Sequence, residues 1–192
     1  MKQEPLTLRR WTRREYERVV DLGVFQGDPV ELVGGHLVVA EPQGSYHVTA
    51  VGLVEDALRS AFGLGWIVRV QAPVALDDES EPEPDVAVVP GTRRDYRAAH
   101  PSRPVLAVEV AETSLTFDRE QKSSLYARGG IADYWIVNLI DRVLEVYRGP
   151  VQAASAPYGW RYRSVQTLAP PAPLVSPLAL PSAGIPVVSL LP

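Results

Sequence analysis

The chain begins with a helical pattern that is followed by a hairpin pattern. Thr12 followed by Glu15 is typical of a capping box and predicts a helix over residues 13–22. Two apolar runs, residues 30–33 and 36–39, flank a Gly-Gly pair. Glycine readily adopts the backbone conformations of tight hairpin turns, so this pattern predicts a β-hairpin.

Helical and strand patterns alternate beyond the hairpin. Ser45 is a candidate helix cap, and apolar residues follow it at helical spacing up to Phe62. Short apolar runs predict strands over residues 66–70, 73–76, 85–89, 105–110, 134–137 and 143–147. A further helix is predicted over residues 118–128, before a Gly-Gly pair. This alternation predicts an α/β fold, a mixed sheet flanked by helices.

The last part of the chain differs in composition from the rest. After Leu168 it is rich in Pro, Ala, Ser and Leu, yet its apolar residues are too frequent for a solvated tail. We therefore expect residues 169–192 to be extended and to pack on the domain. No internal repeat is visible, and we expect a single domain over residues 1–192.

Composition narrows the classes of protein to consider. Hydrophobic residues make up 46% of the 192 residues, enough for a substantial core. The absence of cysteine excludes disulfides, zinc–thiolate sites and thiol nucleophiles. No apolar run approaches the roughly 20 residues of a membrane-spanning helix, and residues 1–11 lack the apolar segment of a signal peptide. We expect a soluble cytoplasmic protein with no membrane partner.

The charge balance argues against a broad, non-specific nucleic-acid binder. The formal net charge is −4, so contacts with phosphates must come from local patches. Arginines cluster at residues 9–14 and again at 93–103. For each cluster alone, a solvated basic surface is the preferred interpretation.

Two acidic residues next to apolar strands carry the first chemical signal. Asp85 begins one predicted strand and Glu109 lies inside another, between two valines. An ionised carboxylate in an apolar strand is costly unless a partner compensates it. A salt bridge to an arginine is one explanation for Glu109. A metal ion shared with Asp85 is the other, because Mg²⁺ takes one or two carboxylates together with waters and phosphate.

The helix after Glu109 adds a basic group. Asp118, Lys122 and Tyr126 are spaced so that they lie near one helical face. An Asp–Lys surface pair is the simple interpretation. However, the chain contains only two lysines, Lys2 and Lys122, and uses arginine elsewhere. A compact ammonium can approach a reacting water or phosphoryl oxygen, which favours a functional role for Lys122.

Several segments together resemble a known family. Four match in order along the chain, 82–85 (PEPD), 108–110 (VEV), 118–122 (DREQK) with Tyr126, and 130–137 (GIADYWIV), and they are joined by 31–35 (ELVGG), His47 and 176–178 (SPL). The chain thereby resembles, over nearly its whole length, the Uma family of putative restriction endonucleases in the PD-(D/E)XK nuclease superfamily. The resemblance implies a restriction-endonuclease-like PD-(D/E)XK core of α/β type.

The resemblance also implies roles for particular residues. Asp85 and Glu109 would bind Mg²⁺ or Mn²⁺, with the backbone carbonyl of Val110 as a further ligand. The superfamily usually carries its lysine two residues after the glutamate, where this chain has Ala111. In the family resembled, the lysine moves to the following helix, which corresponds to Lys122.

These residues lead to a functional hypothesis with open alternatives. Metal-assisted hydrolysis of phosphodiester bonds in nucleic acid is the first hypothesis, with DNA as the expected substrate and RNA or a nucleotide as open alternatives. Glu31 is a candidate further ligand or base acting through water, and an ordinary strand residue otherwise. His47 is a candidate phosphate contact, and a capping or hydrogen-bonded helix residue otherwise. We expect Tyr126 and Trp135 to be core residues.

A second hypothesis is a binding or assembly module with little turnover on a nuclease scaffold. The acidic charge balance favours it, and salt-dependent binding of DNA without cleavage is its signature. In either case we expect a homodimer or higher homo-oligomer, since nucleases that act on duplexes often pair.

Overall fold

The computed structural model describes residues 7–40, 42–171 and 174–192. Its strands, in chain order, are β1 (Val30–Val33), β2 (His36–Val39), β3 (Trp66–Val70), β4 (Val86–Pro90), β5 (Leu106–Ala111), β6 (Asp133–Asn138), β7 (Val143–Gln152), β8 (Trp160–Leu168), β9 (Leu174–Val175) and β10 (Ile185–Pro186). Strands β3 to β8 form one six-stranded sheet in sequential order. The pairs β1–β2 and β9–β10 are separate antiparallel ribbons.

The helices are α1 (Arg13–Asp21), α2 (Ser45–Phe62), α3 (Leu115–Phe117) and α4 (Ser123–Arg128). A π-helical turn, Asp118–Lys122, joins α3 to α4. We call the continuous segment 115–128 the lysine helix. Short 3₁₀ turns lie at Arg93–Tyr96 and Val187–Leu190. Among the described residues, no helix combines the length and apolar character needed to cross a membrane.

Helices cover both faces of the central sheet. On one face α2 packs Val54 and Leu58 against the β4 and β5 side chains, together with the C-terminal residues 174–192. On the other face the lysine helix packs Leu125 and Tyr126 against Ala107 of β5. Because both faces are covered, β5 and β6 are buried along their whole length and are almost entirely apolar. The predicted mixed sheet flanked by helices is confirmed.

Within the six-stranded sheet, β5 and β6 run parallel to each other, and all other neighbouring strands are antiparallel. Parallel neighbours need a crossover connection, and the lysine helix provides it. The crossover begins directly after β5, so the lysine helix starts at the same edge of the sheet where β5 ends. This geometry brings the candidate lysine back towards the carboxylate of Glu109.

Several sequence-based boundaries differ from the structure. Residues 73–76 are not a strand, because their backbone N–H groups donate to two separate segments: Val74 and Leu76 to residues 80–82, and Ala75 to Pro101. Strand β8 was not predicted, since only Tyr162 and Leu168 of its side chains are buried. The lysine helix begins at residue 115, three residues before the predicted start.

The first helix and the hairpin agree with the sequence pattern. Thr12 and Glu15 form the predicted capping box at the start of α1, whose last residue, Asp21, lies one before the predicted end. The predicted hairpin is β1–β2. Ser45, by contrast, is the first residue of α2 and not its cap, because Gly44 occupies the N-cap position.

Asp133 fixes the C-terminal segment to the sheet. Its side chain is fully buried and accepts hydrogen bonds from Trp135 Nε1 at 2.9 Å and Arg148 Nε at 2.9 Å. It also accepts one from the Leu178 backbone N–H at 2.8 Å, while Arg148 donates to the Ser176 carbonyl. These bonds give the Ser176-Pro177-Leu178 segment a structural role.

Replacing Asp133 with alanine is expected to lower the free energy of unfolding by about 3–5 kcal/mol. The substitution leaves the Arg148 guanidinium without its charged partner and three donors without an acceptor. Asp133→Asn keeps an acceptor oxygen and should cost less. Urea denaturation at neutral pH measures both, and equal stability of the alanine variant and wild type would contradict this role.

Candidate active site

A cavity of about 620 Å³ opens where β5 ends and the lysine helix begins. The hairpin β1–β2, the start of α2 and the residues after β5 form its walls. Six carboxylic side chains line it, namely those of Glu31, Glu83, Asp85, Glu109, Glu112 and Asp118. Among the described residues, His47 and Lys122 are the lining side chains that can carry a positive charge.

Strand pairing brings Asp85 and Glu109 together. Asp85 directly precedes β4, and the register pairs Val86 with Val108 of β5. Asp85 Oδ2 accepts a hydrogen bond of 2.8 Å from the Val110 N–H, and the Asp85 N–H donates to Glu109 Oε2 at 3.3 Å. The two acidic residues chosen from the sequence are therefore neighbours on adjacent strands, at one wall of the cavity.

Lys122 reaches this pair from the lysine helix. Its Nζ lies 3.0 Å from Glu109 Oε1 and 3.1 Å from Glu31 Oε1. Two alternatives raised by the sequence are therefore wrong. Glu109 pairs with a lysine and not with an arginine, and Lys122 and Asp118 are both buried, so they do not form a surface pair.

A π-helical turn carries both Asp118 and Lys122. Both side chains line the cavity, as their four-residue spacing on one helical face predicts. Ser114 Oγ donates to Asp118 Oδ2 at 2.5 Å, and Tyr134 Oη donates to the Asp118 carbonyl at 3.1 Å. Such single π-turns occur frequently at functional sites.

Glu31 and His47 lie beside the central group. Glu31 Oε2 accepts a hydrogen bond of 2.8 Å from the Glu83 N–H, while its other oxygen contacts Lys122. His47 Nε2 lies 3.3 Å from Asp85 Oδ1. His47 is thus hydrogen-bonded within the site. Their catalytic roles stay predictions.

Two further side chains complete the group and were not assigned to it from the sequence. Tyr126 Oη donates to Glu109 Oε1 at 2.7 Å, so this buried residue is more than the core packing expected of it. Gln71 Nε2 donates to Asp85 Oδ1 at 3.3 Å from a backbone with φ of +44°. Positive φ at a non-glycine residue is a local signature that sequence alone does not reveal. Trp135 is a buried core residue, as predicted.

Burial and mutual repulsion shift the pKa values of the acidic group. Burial raises the pKa of Glu109 to about 8, against the opposing effect of the Lys122 ammonium. Burial likewise raises the pKa of Asp118 to about 6. Desolvation acts to lower the pKa of Lys122, but the Glu109 and Glu31 carboxylates outweigh it and hold that pKa well above its usual value.

The pKa values of Asp85 and His47 are shifted in opposite directions. Burial acts to raise the pKa of Asp85, but the hydrogen bond and charge of His47 outweigh it and leave that pKa below its ordinary value. The same hydrogen bond raises the pKa of His47. Asp85 is therefore the more readily ionised of the two paired acids.

The donor set suits a hard divalent cation. Within the described residues, no three His, Cys, Asp or Glu side chains are arranged to hold a metal ion by themselves. Mg²⁺ does not need such a set, because it usually keeps waters and phosphate oxygens beside one or two carboxylates. Asp85, Glu109 and Val110 supply oxygen atoms at the cavity wall. Six acids against two potential cations also leave negative charge that such an ion would compensate.

The raised pKa values predict that the metal-free protein loses stability between about pH 4, where the unfolded carboxyls ionise, and about pH 8, where Glu109 ionises in the fold. Unfolded Glu109 and Asp118 ionise near their ordinary pKa values, whereas in the fold they stay protonated up to about pH 8 and 6. The folded state therefore binds more protons in this window, and the free energy of unfolding falls as the pH rises. The expected slope is roughly 1.4 kcal/mol per pH unit for each group that titrates.

Urea denaturation in the presence of a chelator at several pH values measures this slope. Glu109→Gln should flatten it above pH 6, because the glutamine cannot ionise. Equal slopes for wild type and variant would contradict the shifted pKa of Glu109.

Comparisons with known proteins agree with this architecture. A sequence profile described as "Putative restriction endonuclease", the Uma2 family, matches residues 13–188. The crystal structure of a putative nuclease belonging to DUF820 from Anabaena variabilis is similar, with a TM-score of 0.61 and 15% identity. The similarity covers 84% of this chain and 88% of that one, and at this identity it shows the fold alone. No curated protein matched the chain.

The structural similarity confirms the predicted restriction-endonuclease-like fold, and the profile confirms the family resemblance. Because the profile match spans nearly all of the sequence, this chain belongs to the Uma2 family of putative restriction endonucleases.

Proposed function

We propose that this protein is an endonuclease that uses Mg²⁺ or Mn²⁺ to hydrolyse phosphodiester bonds in DNA. The observation that carries the proposal is the convergence of Asp85, Glu109 and the Lys122 ammonium in one cavity. Membership of a family of putative restriction endonucleases supports the nuclease part of it. The metal and the DNA substrate go beyond what membership of this family supports.

In this mechanism Asp85, Glu109 and the Val110 carbonyl would hold the metal ion. The ion would supply polarisation of a phosphoryl oxygen and a lower pKa of a bound water. Tyr126 holds the Glu109 carboxylate in place through its hydrogen bond, and the Val110 N–H does the same for Asp85. Rigid support of this kind keeps the ligands at productive distances.

Lys122 supplies the positive charge at the reacting phosphate. Its ammonium stays protonated at neutral pH, because the neighbouring carboxylates keep its pKa high. It therefore orients the attacking water or stabilises negative charge on the phosphoryl oxygens as the bond breaks. Glu31 Oε1 also contacts the ammonium, at 3.1 Å, while its other oxygen accepts from the Glu83 N–H. This position favours a supporting role for Glu31 over direct metal binding.

His47 is placed for a contact with the substrate. It lies in the first turn of α2, beside Asp85, at the wall of the cavity. The raised pKa increases its cationic fraction at neutral pH, which favours an anionic phosphate nearby.

The two arginine clusters take no part in this proposal. The exposed arginines 93, 94, 97 and 103 are a solvated surface, and those at 9, 10 and 13 pair with acidic residues.

The test is cleavage of plasmid, linear and single-stranded DNA by the purified protein with Mg²⁺, Mn²⁺, Ca²⁺ or a chelator. Cleavage with Mg²⁺ or Mn²⁺ that the chelator stops is the expected result. Asp85→Asn, prepared identically, excludes a contaminating nuclease if it is inactive. Cleavage that is insensitive to the chelator, or equal in the variant, overturns the proposal. DNA binding without cleavage under every metal condition would favour the binding or assembly module. Light scattering on the same samples measures the oligomeric state and tests the proposed homo-oligomer.

A further inference from the structure

We propose that the cavity accepts one unpaired nucleotide at a time, so that the substrate is single-stranded DNA or an unpaired end and not the interior of a duplex. This inference rests on the proposed function, because it concerns the substrate of the same site. Three independent features of the cavity carry it: depth, charge and an apolar wall.

The reactive groups lie below the surface of the protein. Asp85, Glu109 and Lys122 expose only 8%, 4% and 6% of their surface. A scissile phosphate must therefore enter the cavity to reach them. In a continuous duplex, stacking and pairing hold each nucleotide in the helix, and enzymes that act in buried pockets have to extrude the nucleotide first. An unpaired strand enters without that cost.

The charge of the cavity does not suit the two phosphate backbones of a duplex. Duplex binding depends on rows of Lys and Arg that replace condensed counterions. The lining contains six acidic side chains, and among the described residues it includes no arginine and a single lysine. The positive charge available to a phosphate is that of one metal ion with Lys122 and His47, which lie at one place beside Glu109 and Asp85 and not along two backbones.

Part of the cavity lining is apolar. The hairpin and the residues that flank the acidic group provide Val30, Val38, Val39, Ala40, Pro42 and Phe117. Val39 exposes 62% of its surface although it lies on the cavity wall. Apolar and aromatic surfaces of this kind hold unstacked bases, and every base offers a face to them. The base would lie on this wall while its phosphate meets Lys122.

The volume agrees with this occupant. A cavity of about 620 Å³ lies within the usual range of pockets that enclose one small organic ligand. Gln71, at the mouth, already donates to Asp85 and offers an amide that can contact the base or sugar. The arrangement therefore provides a base surface, a phosphate site and a polar rim for one nucleotide.

The inference is tested with labelled oligonucleotides of one sequence, offered as a single strand, as a full duplex and as a duplex with an unpaired flap. With Mg²⁺ or Mn²⁺, we expect cleavage of the single strand and the flap at least about tenfold faster than cleavage of the duplex. Faster or equal cleavage of the duplex interior, lost in Asp85→Asn, overturns the inference while the proposed function stands.

Variants of the apolar wall identify the cause of the preference. Phe117→Ala should lower kcat/KM on the single strand by about tenfold or more. Val39→Asp places a charge where the base would lie and changes an exposed side chain, so it should have a similar effect without affecting folding. Leu64→Ala, at a fully exposed position after α2 and outside the cavity, is the matched control and should cleave like wild type. A single-strand preference that both wall variants retain overturns the assignment of the wall.

Equilibrium binding separates failure of this inference from failure of the proposed function. Fluorescence anisotropy of the same oligonucleotides in Ca²⁺ reports occupancy without turnover. Tighter binding of the single strand, weakened by Val39→Asp, supports the inference even if no metal produces cleavage. Equal binding of single strand and duplex, unchanged in Val39→Asp, overturns it.

Discussion

Glu109→Gln is expected to reduce Mg²⁺-dependent cleavage by at least about a thousandfold, since a metal ligand supplies several kcal/mol of charge stabilisation. Glutamine has nearly the same shape, and its amide oxygen can still accept the hydrogen bond from Tyr126. What it lacks is the negative charge that would hold the ion and balance Lys122. The variant therefore separates the charge of Glu109 from its place in the packing.

The fold of this variant should survive, because it removes a carboxyl whose ionisation is unfavourable in the buried site. Alanine is a less clean substitution, since it would leave the Tyr126 hydroxyl without its buried acceptor and the Lys122 ammonium with Glu31 alone. Calorimetric titration with Mg²⁺ should show weaker binding to Glu109→Gln.

Glu145→Gln is a matched control for the cleavage assay. Glu145 is also a buried glutamate on the sheet, but it pairs with Arg119, Asn138 and Tyr147 away from the cavity. This control should lose stability and retain cleavage. If Glu109→Gln kept more than about a tenth of wild-type activity, Glu109 could not be a metal ligand in the reaction.

Much of the site could be predicted because its signals are local. A carboxylate between two valines in an apolar strand needs a compensating partner, and that requirement identified Glu109. A lysine in a chain that otherwise uses arginine identified Lys122. The strand pattern also placed Asp85 and Glu109 at neighbouring strands. In the structure β4, which directly follows Asp85, pairs with β5, which contains Glu109.

Features that depend on tertiary contacts were not predictable in the same way. The π-helical form of the turn that contains Asp118 and Lys122 leaves no clear sequence signature. Tyr126 was expected to be a core residue, and its hydrogen bond of 2.7 Å to Glu109 depends on how the helix packs over β5. Residues 73–76 have an apolar pattern typical of strands, but their hydrogen-bonding partners lie in separate segments. The Tyr126–Glu109 and Ala75–Pro101 contacts join residues that are well separated in sequence, so local patterns do not reveal them.

Lys122→Met is expected to lower cleavage by about 100- to 1000-fold and also to destabilise the metal-free protein. Methionine matches the length of the lysine stem but carries no charge. Its introduction leaves Glu31 and Glu109 without the ammonium that lies within 3.1 Å and 3.0 Å of them. Breaking a buried ion pair in this way costs about 3–5 kcal/mol at pH 8, and less at pH 6, where Glu109 is protonated.

Lys122→Met is expected to affect both cleavage and stability, and a second substitution separates these two effects. In the double variant Lys122→Met with Glu31→Gln, one buried negative charge is removed along with the positive one, so much of the lost stability should return. Cleavage should not return, because no ammonium faces the phosphate. Arg119→Met is the matched control on the same π-helical turn, since Arg119 pairs with Glu145 outside the cavity and its loss should affect stability alone. Recovery of cleavage together with stability in the double variant would show that Lys122 serves only the fold, and the reaction would then have to proceed on the two acids and the metal without it.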